Sequence, residues 1–457
     1  MKTRPLPPKF SDRARLHTLM QREQRRFVEE HPASDALFQR ARHCLLGGVP
    51  MNWMAKWAGG FPLFVAEALG AHFTDVDGNQ YVDLCLGDTG AMTGHAPALA
   101  VRALEQQARR GITFMLPTED AIWVGEELKR RFGLPYWQFC LTATDANRFS
   151  IRLAREITQR KLVLVFNHCF HGTVDESFVA LKDGVPGPRR GNLGPPVDPA
   201  ITTRVIEFND LDALEQTLAN RDVACVLMEP VMTNAGIVHP QPGYHQSLRA
   251  LTRKYGTLLI IDETHTICTG PNGYTGQHSL DPDLFVLGKP IASGLPAATY
   301  GLTEEVARRV LDRAKVEDCD SSGIGGTLAG NALSLAVIRA TLEHVLTPVA
   351  FEHMIQLSER FTHGVEDSIR EFGVPWHVTR LGCRAEYLFS DTPPRNGTEA
   401  AAAMDFELSR FMHLYSLNRG ILLTPFHNMA LMSPATTPAD VDQHGRVFRQ
   451  ALNELAM

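Results

Sequence analysis

The clearest pattern in the chain is a series of short apolar runs, nearly free of polar residues, each followed by a helical stretch. "WQFCLT" (137–142) precedes "DANRFSIRLAREITQR". "KLVLVF" (161–166), "VACVLMEP" (223–230), "GTLLIIDE" (256–263) and "DLFVLGK" (283–289) come later, with amphipathic segments between them. Runs of this kind are strands covered on both faces, and strands alternating with helices predict an α/β fold with a mostly parallel sheet. Before residue 95 the pattern differs. Residues 10–45 are charged and predict helix, while "GGFPLFVAEALGAHFTDVDGNQYVDLCLG" (59–87) alternates as strands do. Within it, "DVDGNQ" lacks the third acidic position and the distal Glu of a calcium loop, so it predicts a hairpin turn through Asp77-Gly78. After about residue 330 come two helices, two strand-like runs and a last helix, the pattern of a smaller α+β domain. The expected organisation is an N-terminal segment over 1–75 that joins the small domain and dimer contacts, a large domain over 76–330, and a small domain over 331–457.

Composition narrows the partners more than the fold. The net charge of −6 gives no attraction for nucleic acid or anionic lipid. No apolar stretch is long enough to span a bilayer, and "MKTRPLPPKF" has no apolar region behind its basic residues, so no secretory signal is expected. The eight cysteines are scattered without a C-x-x-C, several within apolar runs. Buried free thiols in a reducing cytoplasm account for them. A cytoplasmic protein with no nucleic-acid or membrane partner is the expectation.

In parallel sheets, ligands bind beyond the carboxyl ends of the strands. The residues ending the runs therefore form a set: Thr142 to Asp145, Phe166 to Gly172, Glu229, Asp262 and Lys289. Lys289 is the one charged residue in "VLGKPIASGLPAATYG", among neighbours small enough to admit something bulky. On its own it reads as a lysine that snorkels to the surface, and its context changes that reading. Desolvated, its amine is a nucleophile toward aldehydes. Asp262 ends "LLIID", where a carboxylate is paired, caps the next segment, or serves a ligand. At Ala143 and Thr144 a helix begins after a strand, a place that suits a phosphate or a plain Thr cap. Phe170 could stack on a ring. His171 and Gly172 resemble metal or catalytic residues, but no second His or Cys lies at a ligand spacing, so no metal is expected.

Taken in order, these elements resemble the class III (fold type I) pyridoxal phosphate aminotransferases, in the branch near glutamate-semialdehyde aminomutase. The likeness runs over about residues 45–445. It rests on Thr142-Ala143-Thr144-Asp145-Ala146-Asn147, Phe170-His171-Gly172, Glu229-Pro230, "PQPGYHQSLRALTRKYGTLLIIDE", "DLFVLGKPIASGLPAATYG" and Thr327 to Asn331. The resemblance implies pyridoxal 5'-phosphate as cofactor, held as a Schiff base on Lys289, which also carries the proton in catalysis. Asp262 would pair with the pyridine nitrogen, and Phe170 and Thr264 would pack on the two ring faces. Ala143 and Thr144 would bind the phosphate, and Glu229 would stand on the ring's hydroxyl side. His171 would belong to the same cofactor shell. Thr327 would reach the phosphate of the second subunit of a homodimer with shared active sites. The implied activity is transfer of an amino group from an amine or amino-acid donor to an oxo acceptor. The alternatives are an aminomutase, racemase or decarboxylase on the same cofactor, or a non-catalytic protein of the fold.

The chain departs from the family at its substrate end. "GGVPMNWMAKW" has Met54, beside Trp53, about where the aminomutases carry a carboxylate-binding Arg. About Met429 replaces their gating Glu, and Leu431 stands where many aminotransferases carry an Arg. A substrate carboxylate would then turn to Arg380 or Arg384. Asp88 adds a carboxylate where the family has uncharged residues, which favours a cationic or hydroxylated substrate. The strand end usually read as "DEV" is "DETHT", which puts His265 near the site.

Overall fold

The computed structural model describes residues 12–194, 197–313, 323–425 and 427–457. Cys319 and the decapeptide read above for a signal lie outside the described residues. The other seven cysteines are free thiols, six of them buried. The chain divides into two compact units, one made of residues 1–97, 352–393 and 403–457, the other of residues 98–351 and 394–402.

The second unit is built on a seven-stranded sheet. Its strands are β1 (Tyr136–Cys140), β2 (Leu162–Phe166), β3 (Thr203–Ile206), β4 (Val223–Met228), β5 (Leu258–Asp262), β6 (Leu284–Leu287) and β7 (Ala298–Leu302). Across the sheet they run β1-β7-β6-β5-β4-β2-β3. All neighbours are parallel except β7, which is antiparallel to both β6 and β1. Strands β2, β4, β5 and β6 are buried along their whole length, which is why they read as unbroken apolar runs. Successive residues serve opposite faces. Leu258 and Ile260 pack with Ala146, Phe149 and Ile157 of helix α1 (Ala143–Thr158). Leu259 and Ile261 pack with Tyr244 and Leu248 of helix α2 (Tyr244–Tyr255). Each such aliphatic side chain stabilises the unit by about 1.5–3 kcal/mol.

The first unit holds a four-stranded sheet of Val65–Leu69, His72–Asp75, Gln80–Asp83 and Ile421–Leu422, and a three-stranded antiparallel sheet of His377–Leu381, Arg384–Leu388 and Met429–Leu431. The hairpin through Asp77-Gly78 is present, with Gly78 at φ +87°. The acidic residues there do structural work. Asp75 accepts from the amides of Asp77 and Asn79, and Asp77 accepts from the amides of Ala33 and Ser34 at the start of a helix.

Two expectations shift. The helix expected over 10–45 is broken into Arg13–Glu30 and Pro32–Ala41, because Pro32 lacks an amide hydrogen and opens the second helix instead. The domain boundaries fall at 97/98 and 351/352, with 394–402 returning to the second unit, not at 75/76 and 330/331. Residues 76–97 stay with the first unit because Gln80–Asp83 pairs with His72–Asp75 and His95 pairs with Gly70. Helix Ala332–Ala340 stays with the second, where the Ala332 amide donates to Ile112 and Arg339 pairs with Asp120 at 2.9 Å. Among the described residues no single helix is long and apolar enough to cross a membrane.

Candidate active site

The carboxyl ends of β5 and β6 set the centre of the site. Asp262 is the last residue of β5 and lies in register with Val286 of β6, three residues before Lys289. The crossover between these adjacent strands contains only a 3₁₀ turn and the short helix Gly273–Gln277. After β6 the chain passes through Gly288 and turns at Lys289, whose φ of +48° is in the left-handed region. That conformation costs a non-glycine residue about 1 kcal/mol or more and marks a position fixed by its surroundings. A Cβ on Gly288 would lie 3.0 Å from Ala143 Cβ and 3.3 Å from Ala143 N. The missing side chain therefore lets the strand end lie against the first turn of α1.

Helix α1 begins as expected. Thr142 caps it, accepting from the Asp145 amide and donating to Asp145 Oδ2. A second glycine reaches the same turn. Gly172, at φ +76°, sits so close that a Cβ would meet Thr144 Oγ1 at 2.1 Å, and Thr144 Oγ1 accepts from the Thr173 amide. We expect Gly172→Ala to destabilise the protein by about 1–3 kcal/mol. It should also weaken cofactor binding about tenfold, through displacement of Thr144. Thermal unfolding and a fluorescence titration with pyridoxal phosphate would read both, and unchanged values would contradict the close approach.

Asp262 is buried and well supplied with donors. Its Oδ2 accepts from Asn147 Nδ2 at 2.8 Å and His171 Nδ1 at 2.9 Å, and its Oδ1 accepts from the Thr264 amide at 3.1 Å. Burial alone would raise the carboxyl. The His171 hydrogen bond and charge, with Thr264 and Asn147, outweigh it and hold Asp262 at about 2. Burial likewise pulls His171 down, but the hydrogen bonds to Asp262 and Cys169 reverse this and push it up to about 10. The two shifts run in the directions expected of a hydrogen-bonded imidazole and carboxylate that favour each other's charged form. Asn147 also donates to the His171 carbonyl, clamping the loop to α1.

Three features fit pyridoxal phosphate. Asp262 Oδ1 has accepted only one backbone amide, leaving an ionised oxygen for a pyridinium N–H. Thr264 Oγ1 is buried with no hydrogen-bond partner. The first turn of α1, approached closely by Gly172 and Gly288, is suited to a phosphate. Phe170 is 37% exposed, its ring edge-on to Phe178 at 6.0 Å, so a face remains for stacking.

A polar chain runs from Lys289. Its Nζ hydrogen-bonds His265 Nε2, His265 Nδ1 lies 2.6 Å from Thr233 Oγ1, and Thr233 donates to Glu229. Thr233 and the Asn147–Asp262 bond were not assigned from sequence. Asn147 had a signal, as a polar residue on the buried face of an amphipathic helix. Thr233 had none.

The structure brings Lys289, Asp262, Ala143, Thr144, His171, Thr264, Glu229 and His265 into the second unit, with Thr327 there and exposed. Trp53, Asp88 and Arg384 belong to the first. Trp53 is 36% exposed in a 3₁₀ turn. Arg384 is buried and donates to Asp88 at 3.3 Å and to Thr89 at 2.7 Å, so the two candidate substrate residues offset each other's charge. Arg380 pairs with Glu359 at 3.0 Å.

Comparison with known proteins agrees with this geometry. The family described as Aminotransferase class-III matches residues 53–445. The glutamate-1-semialdehyde 2,1-aminomutase of Desulfitobacterium hafniense is 34% identical over 435 residues, covering 92% of this chain and 98% of the relative. The crystal structure of a glutamate-1-semialdehyde-aminomutase from Pseudomonas aeruginosa PAO1, a lysine-to-alanine variant in complex with PMP, superposes with a TM-score of 0.95. It is 52% identical and covers 97% of this chain and 99% of that one. An omega-transaminase from Sphaerobacter thermophilus is 27% identical with a TM-score of 0.84, covering 94% of this chain and 100% of its own. The chain belongs to the class III aminotransferase family of pyridoxal phosphate-dependent, fold type I enzymes.

Proposed function

We propose that this enzyme is an aminomutase, moving an amino group between adjacent carbons of one small amino oxo compound of the glutamate-1-semialdehyde kind. The observation that carries the reading is the 52% identity, over nearly the whole chain, to a glutamate-1-semialdehyde-aminomutase that holds PMP. The sequence alone puts transfer between two molecules first and the mutase second. The relatives reverse that order.

Bound at this site, pyridoxal phosphate supplies an electron sink for a carbanion at the carbon bearing the nitrogen. Lys289 Nζ is the covalent anchor and moves the proton. Asp262, buried and with its carboxyl held low, would keep a positive charge at the ring nitrogen. Phe170 and Thr264 would pack on the ring, Ala143 and Thr144 would hold the phosphate, and Glu229 would stand on the side of the ring hydroxyl.

A homodimer is part of this reading, with Thr327 serving the neighbouring subunit. Ile112, Phe114, Met115, Leu116 and Leu328 are exposed, and the Ile112–Ala332 hydrogen bond brings the two apolar segments side by side. Apolar area of this kind supports an interface between copies. A cytoplasmic location goes with the reading.

The deciding experiment supplies the loaded enzyme with glutamate-1-semialdehyde alone. Conversion to the isomer with nitrogen on carbon 1, without any second substrate, is the expected result. If the nitrogen instead passes to a separate oxo acceptor, leaving the dioxo compound, the enzyme is an aminotransferase. That second reading is favoured by Met54 and Met429, which stand where the aminomutases carry their Arg and Glu.

Substrate charge gives a further test. Asp88→Asn removes the carboxylate that offsets Arg384. The expected result is a KM for carboxylate-bearing substrates lowered about tenfold relative to neutral amines. An unchanged ratio would remove Asp88 and Arg384 from substrate recognition.

A further inference from the structure

His265 is a side chain of the site to which the family resemblance gives no role. It follows the "DET" strand end, it is nearly buried, and its two ring nitrogens are both engaged. The direction of those bonds is fixed by what lies behind them. A carboxylate can only accept, so the single hydroxyl hydrogen of Thr233 goes to Glu229. Thr233 Oγ1 must then accept from His265 Nδ1, at 2.6 Å. With its hydrogen on Nδ1, the neutral ring presents a bare lone pair at Nε2, and that nitrogen meets Lys289 Nζ. The Thr233 loop is itself held by the paired amides and carbonyls of Met232 and Val238.

We propose that His265 is the proton acceptor for Lys289, held in its accepting tautomer by Thr233 and Glu229. The step is a proton transfer only. The Lys289 ammonium loses a proton to His265 Nε2, leaving an amine with a free electron pair and an imidazolium. The Glu229 carboxylate, with Oε2 at 3.7 Å from His265 Nδ1, meets the new positive charge. Reversal of the step returns the proton to Lys289. His265 thus touches the reacting nitrogen, while Thr233 and Glu229 are positioning residues. The inference rests on Lys289 as the cofactor-bearing lysine and holds for mutase and transferase alike.

The test is made on the full-length chain freed of cofactor. It is acylated at pH 7 with acetic anhydride, and Lys289 is compared with the remaining lysines by peptide mass spectrometry. His265→Gln keeps an acceptor but cannot take a proton, and it is expected to slow labelling of Lys289 about tenfold or more. Thr233→Val removes one hydroxyl with little change of shape, and a smaller slowing of Lys289 alone is expected. In His265→Ala, added imidazoles should restore labelling, more strongly the more basic they are. Unchanged Lys289 labelling in both His265→Gln and Thr233→Val overturns the proposal. So does rescue that ignores the basicity of the imidazole, because a ring that only props the lysine needs no proton affinity. Borohydride fixation of pyridoxal phosphate tests the cofactor role separately. If the adduct forms on another lysine, the reading of Lys289 fails while the labelling result still reports on His265.

Discussion

Lys289→Ala is expected to abolish covalent attachment of pyridoxal phosphate and to lower turnover by about 10³-fold or more. Lys289 supplies both the nucleophile that holds the cofactor and the group that moves the proton, and no neighbour can replace it as the nucleophile. His265 contacts Nζ but is a ring nitrogen, unable to form the same bond to an aldehyde. The fold should tolerate the change. Lys289 lies in a 3₁₀ turn beyond β6, outside the apolar strand core, and alanine removes nothing from that core. Two measurements check this. Borohydride reduction should add the cofactor's mass to the wild-type Lys289 peptide and nothing to the variant. Thermal unfolding of the cofactor-free proteins should nearly coincide. A variant retaining a tenth of wild-type turnover would remove Lys289 from the chemistry.

The parts of the site legible in the sequence are those that sit at the ends of buried strands. Asp262 and Lys289 stand out because β5 and β6 are covered on both faces, so a charged residue at their ends contrasts with an apolar run. The N-terminus of α1 is visible for a similar reason, as a hydroxyl and small residues between a strand and an amphipathic helix. What escaped depends on three-dimensional approach. Thr233 meets His265 across 32 positions, and Arg384 meets Asp88 across 296, with no local pattern to announce either pair. The Asp88–Arg384 pairing also changes the chemistry read from each alone, since a carboxylate beside a buried guanidinium repels an acid less than a solitary one. The domain boundaries moved for the same reason. Strand pairing of Gln80–Asp83 and the Arg339–Asp120 ion pair decide which unit a segment joins, and neither is written in the segment itself.

Asp262→Asn is expected to lower turnover by about 10²–10⁴-fold, by removing the fixed negative charge at the ring nitrogen. It should also change how stability depends on pH, which tests the Asp262–His171 pair without any substrate. In the wild-type protein His171 is raised to about 10, so its stabilising contribution is complete below the ordinary histidine value and is lost as pH rises toward 10. Asp262 is lowered to about 2, so its contribution is present above the ordinary carboxylate range and is lost as pH falls toward 2. Between about pH 4 and 6.5 both contributions are complete, and the pair adds a plateau to the stability curve. In Asp262→Asn the carboxylate is gone and Cys169 alone opposes burial, the largest influence on His171, so the balance moves toward the neutral ring. The variant should therefore lose the alkaline decline between about pH 6.5 and 10. It should gain an acid decline below about pH 6.5, where the unfolded histidine takes up a proton that the folded one refuses. Melting temperatures of both cofactor-free proteins from pH 4 to 10 make the comparison, with other titrating groups common to the two curves. Parallel curves would mean that His171 and Asp262 are not paired as ions. Curves that converge toward pH 10 and separate toward pH 5 identify Asp262 as the charge that keeps His171 protonated, and hence as an ionised acid ready to pair with the cofactor's ring nitrogen.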